Sequence, residues 1–487
     1  MKNLTRRSFL QSSLVTAASL SLPARSWAQV AGANNDIRVA VVGFGGRGKS
    51  HIGEFGGMKG VRLVALCDAD KRILEGEVNR LKNKGTPIEG YTDVRKLLEN
   101  KDIDVVSTAT PNHWHALISV WSCQAGKDVY VEKPVSHNVW EGRKVVEAAR
   151  KYNRIVQTGT QSRSNEGLRQ ALEWVRAGNL GKIRISRALC YKRRASIGKV
   201  DGPQPIPEGI DYDLWCGPAP KGPLMRKNLH YDWHWVWPTG NGDLGNQGIH
   251  QMDIARWALG RMELSPRVFS IGGRLGYVDD GETANTQMVV HDYGDALLIF
   301  EVRGLPSRPI RADEKDAEGK KPRETMDQYR GQSIGNIVEC EDGYLAGTTA
   351  YDKAGKEIKK FSGREDHFAN FIEAVRSRKA GDLNADILEG HLSSALCHTG
   401  NISYRLGKQA EPGEIREIIK GDKEAVETLG RMEEHLAANG VDLKVNKLSL
   451  GTFLKMDPKS ERFIGNDKAN ELLTRDYRKP FVVPEKV

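Results

Sequence analysis

The sequence predicts an α/β protein: a doubly wound parallel sheet, followed by an α+β domain with a large, mainly antiparallel open sheet. Three observations carry this. A β-branched run, Ile37 to Val42, leads directly into Gly43-Phe44-Gly45-Gly46-Arg47-Gly48 and then an amphipathic stretch from Lys49. Apolar strands and helical stretches alternate from there to Val131, as a parallel sheet with crossover helices requires. Beyond Lys182 strand-like runs follow one another through turns such as Tyr293-Gly294-Asp295, which is the connectivity of hairpins.

The chain has 487 residues, 39% hydrophobic and 28% charged, enough to bury several cores and to exclude a disordered or fibrous protein. Residues 4–29 set Arg6-Arg7 before Ser8-Phe9-Leu10, then an apolar stretch Leu14 to Leu22, then Ser26-Trp27-Ala28. This order is that of a twin-arginine export signal cleaved after Ala28, so residues 1–28 are expected to leave a periplasmic or secreted protein with no integral membrane segment. Their loss removes Lys2, Arg6, Arg7 and Arg25, lowering 73 basic residues to 69 against 63 acidic and the net charge from +10 to +6. The remaining charge is mixed in sign along the chain, and no nucleic-acid partner is expected. Six scattered cysteines with no CxxC pair predict buried thiols, neither a zinc ribbon nor a disulfide framework. Export of folded protein by this route makes a bound cofactor the first thing to look for.

The nucleotide domain is expected over 34–158. In the GxGxxG turn, Gly43, Gly45 and Gly48 let the backbone bend sharply and approach a pyrophosphate at a helix N-terminus, the Rossmann arrangement. A second strand, Val61 to Cys67, ends in Asp68, 20 residues beyond Gly48. A carboxylate there accepts from a ribose 2′-hydroxyl and repels a 2′-phosphate, so NAD is expected, with Lys71 and Arg72 nearby leaving NADP as the alternative. A helix near Thr92 to Asn100, a strand Asp104 to Ala109, a helix Trp114 to Ala125 and a strand Asp128 to Val131 follow. The ligand crevice of such a sheet lies beyond the carboxyl ends of its strands. Thr110-Pro111-Asn112-His113-Trp114-His115 and Glu132-Lys133-Pro134 both fall there. A lysine beside a nicotinamide could steady a developing alkoxide.

The glycine turn, the Thr-Pro-Asn-His segment and Glu132-Lys133-Pro134, in this order, resemble the glucose-fructose oxidoreductase, inositol dehydrogenase and rhizopine-catabolism (Gfo/Idh/MocA) family. Gly245-Asn246-Gln247-Gly248-Ile249-His250-Gln251-Met252-Asp253, with Ala255-Arg256-Trp257-Ala258-Leu259-Gly260 behind it, resembles that family's second signature. The resemblance implies two domains over about 37–407, cofactor contacts from Thr110, Pro111, Asn112, His115, Glu132 and Lys133, and Lys133 as catalytic lysine. It implies His250 as acid/base, in a branch where an aspartate stands four residues earlier. Here that position is Asn246. Spacing of four predicts one helical face for 246 and 250. An amide can hold a hydroxyl but cannot polarise imidazole as a carboxylate does, so Asp243 or Asp232 is expected to compensate. Asp253 is expected to be a structural partner.

The substrate domain is expected over 159–407, with a helix Glu166 to Ala177, strands Lys182 to Tyr191, Arg267 to Leu275, Thr286 to His291 and Ala296 to Val302, and helices Asp366 to Ser377 and Asp386 to Leu406. Residues 304–336 read as a charged surface insertion. A Pro- and Gly-rich loop between Gly198 and Gly242 holds Trp215, Trp233, Trp235 and Trp237 with His230 and His234. It reads either as an aromatic wall for a sugar, through Trp233, His234 and Trp235 with Asp243, or as a half-buried strand with alternating tryptophans. No metal is expected, since neither His230/His234 nor His113/His115 has further ligands at suitable spacing. Residues 408–487 read as a helical extension and a proline-bracketed apolar tail lying along a neighbouring domain or subunit.

The expected activity is oxidation of a sugar or polyol hydroxyl with tightly bound NAD(P), in a homo-oligomer, dimer or tetramer. The alternatives are a redox-neutral glycosidase working by oxidation, elimination, addition and re-reduction, and a catalytically silent sugar-binding relative, to which Asn246 would point.

Overall fold

A computed structural model describes residues 36–487 apart from 312 and 317; the export signal read at 1–28 lies outside them. Six parallel strands, β1 Ile37–Val42, β2 Val61–Cys67, β3 Glu89–Tyr91, β4 Val105–Thr108, β5 Asp128–Val131 and β6 Val156–Thr158, form one sheet in the order β3-β2-β1-β4-β5-β6. Val39, Ala40, Val41, Val105, Val106 and Val129 are fully buried. Strands covered on both faces need continuous apolar runs, and these have them. Strand order reverses between β1 and β4, which opens a crevice beyond their carboxyl ends.

The second sheet has twelve strands. Its central run is β11 Ile334–Cys340, β7 Ile183–Tyr191, β10 Leu297–Arg303, β9 Thr286–Asp292 and β8 Arg267–Gly273. All pairings are antiparallel except β7 with β10, so the sheet is mixed. Period-two alternation sorts its two faces. Leu298, Phe300 and Val302 pack on helices Gly248–Leu259 and Ile387–Arg405, which lie towards the nucleotide domain, while Leu297 and Ile299 face the other way.

That far face is covered by helices Pro412–Ile419 and Lys423–Ala438, through Ile415, Ile419, Leu429, Met432 and Leu436. The segment 408–487 is therefore more than a helical extension. Its strands Lys408–Ala410, Leu448–Leu450 and Leu454–Asp457 extend the sheet beyond β8, pairing Ser449 with Gly272 and Leu454 with Val268. The first pairs with the second, about 40 residues on, and the last two pair far upstream with β8, so no local pattern announces them. The tail then returns to the nucleotide domain, where Phe481 and Val483 are buried with Val94, Trp114 and Ile118.

Helix Ile387–Arg405, capped by Asp386 through Leu388 N at 2.9 Å, joins the two domains. Ser394 Oγ accepts from Val135 N at 3.2 Å, directly after the Glu132-Lys133-Pro134 corner. All six cysteines are free thiols, five of them buried. Among the described residues no helix is long and apolar enough to cross a membrane.

Candidate active site

A cavity of about 790 Å³ opens at the β1/β4 crevice and runs between the domains. Its floor is the glycine turn. Gly43 has φ +75°, and a Cβ there would lie 2.6–2.8 Å from Thr110. Gly48 sits beneath the turn and not on the cavity wall; a Cβ on it would lie 2.1 Å from Gly43 O. Both positions therefore need glycine to keep the cradle open. Gly48→Ala is expected to weaken NAD binding about 10- to 100-fold, from the 1–3 kcal/mol of overpacking, as read by calorimetric titration of apo protein.

At the end of β2, Asp68 accepts from Phe44 N and Asp70 N, each at 3.0 Å. Burial raises its pKa, opposed by those two amides. One lone pair on each oxygen is left for a ligand hydroxyl. Gly45, Thr110, Pro111, Asn112 and His115 line the same cavity. Asn112 Nδ2 donates to Asn241 Oδ1 at 2.9 Å, and His115 lies between Pro134 O at 2.6 Å and Thr110 O at 2.7 Å, tying the two corner segments together. A glycine cradle, a helix starting at Gly48 and a carboxylate 20 residues on together fit the pyrophosphate and ribose of a dinucleotide.

Glu132 and Lys133 follow β5. Glu132 is buried but accepts from Arg47 Nε at 3.0 Å, Gln161 Nε2 at 3.2 Å and Lys133 N at 3.2 Å, with His51 Nε2 at 3.1 Å. Burial alone would raise its pKa; the His51 hydrogen bond and the charges of His51, Lys133 and Arg47 hold it well below the usual carboxylate range. It is thus an anionic post that positions its neighbours. Lys133 Nζ donates to Asn246 O at 2.9 Å and lies 3.5 Å from Asn246 Oδ1. Burial pushes its pKa down, against the pull of Glu132 and Asp243.

Asn246 and His250 both reach the cavity, but not from one helix. The helix Gly242–Gly245 ends at Asn246, whose ψ of −87° breaks the ladder, and a new helix starts at Gly248. The expected single face is corrected accordingly: the break turns Asn246 towards Lys133. Among the described residues no side chain hydrogen-bonds the His250 ring, which is half-buried and borders the cavity. Burial, with the Lys133 charge adding to it, lowers its pKa to about 3. The compensation expected from Asp243 or Asp232 is not found. Asp243 is bidentate to Arg194 at 2.7 and 2.8 Å, and Asp232 accepts from Asn228 Nδ2 at 3.1 Å. Asp253 holds Arg163 and accepts from Ser393 Oγ at 2.7 Å.

The aromatic loop is not a strand. Trp233–Trp235 form a 3₁₀ turn, where residues two apart diverge in a different sense from a strand's alternation. Trp233 and His234 stack at 3.6 Å between centroids and line the cavity. Trp235 and Asp243 do not line it; Trp235 lies under the Arg194 guanidinium. His230 is paired with Asp70 at 3.1 Å, away from any partnership with His234. Among the described residues no group of three or more His, Cys, Asp or Glu is placed to hold a metal ion. Reasoning from sequence missed Arg47, Gln161 and Tyr231, all on the cavity wall. Arg47 lies inside the glycine motif, where attention falls on glycines; Tyr231 carried no signal of its own.

The parallel-sheet domain, glycine cradle and second sheet define a two-domain oxidoreductase of the NAD-binding class. Residues 37–160 match the profile of the oxidoreductase family's NAD-binding Rossmann fold, and 169–300 that of its C-terminal alpha/beta domain. The chain belongs to the Gfo/Idh/MocA oxidoreductase family, and its cofactor is NAD. It is 34% identical over 172 residues to a protein of Shewanella baltica (strain OS185) named a glycosyl hydrolase family 109 protein, covering 31% of this chain and 38% of that one. A protein of the same name from Shewanella pealeana is 29% identical over 152 residues, 30% of this chain and 33% of its own. The chain thus matches about a third of the length of these relatives. Among solved structures, the WlbA dehydrogenase of Bordetella pertussis, in complex with NADH and UDP-GlcNAcA, superposes with a TM-score of 0.52 at 19% identity, over 74% of this chain and 94% of that one. The aldose-aldose oxidoreductase of Caulobacter crescentus, complexed with glycerol, gives 0.51 at 17% identity over the same shares. At these identities the likeness is one of fold.

Proposed function

We propose that this protein oxidises a ring hydroxyl of a sugar or polyol, using NAD that stays bound and is regenerated within one catalytic cycle by passing the hydride on to the carbonyl carbon of a second sugar, which is reduced. The observation that carries the reading is the convergence of Lys133 Nζ and the unpartnered His250 ring on the cavity that contains the glycine cradle. Bound NAD supplies the two-electron acceptor. His250 takes the hydroxyl proton as the carbinol becomes a carbonyl. Lys133, anchored on Asn246 O, donates to the oxygen and stabilises its developing charge. Trp233, with His234 stacked on it, offers an apolar face for a pyranose ring, and the Tyr231 hydroxyl, which accepts from Arg194 Nη1 at 3.1 Å, offers a polar tip.

Export through residues 1–28 belongs to the same proposal: outside the cytoplasm no free dinucleotide pool renews the cofactor, so a retained one is required. The proposed homo-oligomer would use a surface other than the sheet face covered by residues 412–438.

A second reading, the redox-neutral glycosidase, is supported by the glycosyl hydrolase family 109 name of the Shewanella relatives. One experiment separates the two. The purified protein is analysed by mass spectrometry for bound NAD, then given a panel of free sugars while the absorbance of reduced nicotinamide is followed, and a panel of aryl glycosides while phenol is followed. Reduction by a free sugar supports the first reading. Phenol release without added NAD supports the second, and absence of bound NAD overturns cofactor retention.

The depressed pKa of His250 sets a pH prediction. A base is active when unprotonated, and a ring with a pKa near 3 stays neutral through the range where an ordinary histidine, at about 6.5, would gain a proton. The oxidation rate is therefore expected to show no histidine limb between about pH 7 and 5. A tenfold fall across that interval, lost in His250→Gln, would overturn the assignment.

A further inference from the structure

The C-terminal tail is covered by neither family profile, yet it reaches the nucleotide site. The loop between β7 and the helix at Gly242 leaves the substrate domain and crosses the mouth of the nucleotide cleft. It hooks onto the end of β2 next to Asp68: Lys71 N donates to Gly209 O at 2.9 Å, Asp211 N donates to Ala69 O at 3.0 Å, and His230 meets Asp70. From there Leu214, Trp215 and Trp233 form the cavity wall across from the glycine turn. The loop is pinned to the nucleotide domain a second time, by Trp114 Nε1 donating to Leu214 O at 3.0 Å. The strap thus forms one wall of the cavity that a ligand on the glycine turn would occupy, and loosening it would widen the way out.

The tail fastens the strap. Arg478 donates through Nη1 to Asp213 Oδ1 at 2.8 Å and through Nη2 to Asp213 O at 2.7 Å, gripping both side chain and backbone of the residue before Leu214. Phe481, 1% exposed, packs edge-on against Trp114 at 5.4 Å and lies under the guanidinium groups of Arg95 and Arg478. Trp114 thus touches the cavity on one side and the tail on the other. Further back, Arg475 Nη1 donates to Pro238 O at 2.9 Å, holding the other end of the loop. A two-point arginine grip on a loop, backed by a buried aromatic ring, is a stronger fastening than a lone surface ion pair.

We infer that Arg478 and Phe481 are positioning residues that latch the 198–240 strap over the nucleotide cleft, so that retention of NAD depends on the C-terminal tail. The inference rests on the reading of NAD as a cofactor held through turnover. Arg478→Ala, Phe481→Ala and Arg478→Lys are made in the full chain. Each is stripped of nucleotide, titrated with NAD by calorimetry, and assayed for NAD release by stopped flow. Arg478→Ala and Phe481→Ala are expected to bind NAD at least about tenfold more weakly through faster release, with kcat at saturating NAD within about twofold of the parent. Arg478→Lys, which keeps one bond to Asp213, is expected to recover part of the affinity. Unchanged affinity and release rate in both alanine variants overturn the latch, as does a loss of kcat that saturating NAD does not restore. Should Phe481→Ala not fold, Arg478→Ala, whose side chain is half-buried and belongs to no apolar core, carries the test. The reading beneath it fails separately, when the parent protein itself releases NAD within a single turnover.

Discussion

Lys133→Ala is expected to lower kcat for sugar oxidation by about 10²- to 10³-fold, the usual loss when one charged donor to a developing oxyanion is removed. The ammonium is held by Asn246 O at 2.9 Å on the cavity wall, a fixed placement that a freely moving water does not reproduce. NAD content and melting temperature are expected to stay near those of the parent, because Glu132 keeps Arg47, His51 and Gln161 after the lysine has gone. Lys133→Arg is expected to recover little: a planar fork with a longer reach does not reproduce a point charge anchored on one carbonyl. The measurement is steady-state kinetics alongside mass spectrometry of bound NAD. A fall of less than about tenfold would remove Lys133 from the oxygen-binding role, and loss of NAD with activity would make it a cofactor-site residue.

The glycine turn, Asp68 and Glu132-Lys133 were legible in the sequence because a parallel α/β sheet writes its site locally: each residue follows a strand that can be read within a few positions. His250 and Asn246 were legible as a pair through family resemblance, but their relation was not. A spacing of four suggests a shared helical face only if the helix is continuous, and a run with Gly242, Gly245 and Gly248 breaks at Asn246. Trp233, Trp235 and Trp237 alternate like strand residues, yet the close return of Gly240 onto the backbone of Trp233 and His234 belongs to a compact turn. The role of residues 408–487 was the least legible. Their helices, strands and tail pair with segments as distant as Trp114 and Gly272, and sheet addition of this kind is decided by tertiary burial rather than by local propensity.

Asp253→Ala is expected to cost about 3–5 kcal/mol of stability, the range for removing one partner of a buried ion pair. Asp253 and Arg163 are 1% and 5% exposed at their side chains, and the carboxylate also accepts from Ser393 Oγ and lies 3.8 Å from Arg256. Without it two buried guanidinium groups share Glu389 as their carboxylate neighbour in the cluster. Burial raises the Asp253 pKa, but the Arg163 charge and hydrogen bonds outweigh it and leave the pKa below its ordinary value. The stabilisation is therefore complete above about pH 4, the unfolded carboxyl value, and is lost as pH falls through the lower folded one. Asp253→Asn, which keeps an acceptor without the charge, is expected to fall between parent and alanine variant. The denaturation midpoint followed by tryptophan fluorescence reads this, and a shift of under about 1 kcal/mol in Asp253→Ala would mean that Arg163 finds another anion or water. Because Asp253 lies one turn beyond His250 on the helix Gly248–Leu259, the substitution also loosens the element that presents the base. Activity is then expected to fall further than the folded fraction does, with the excess confined to kcat.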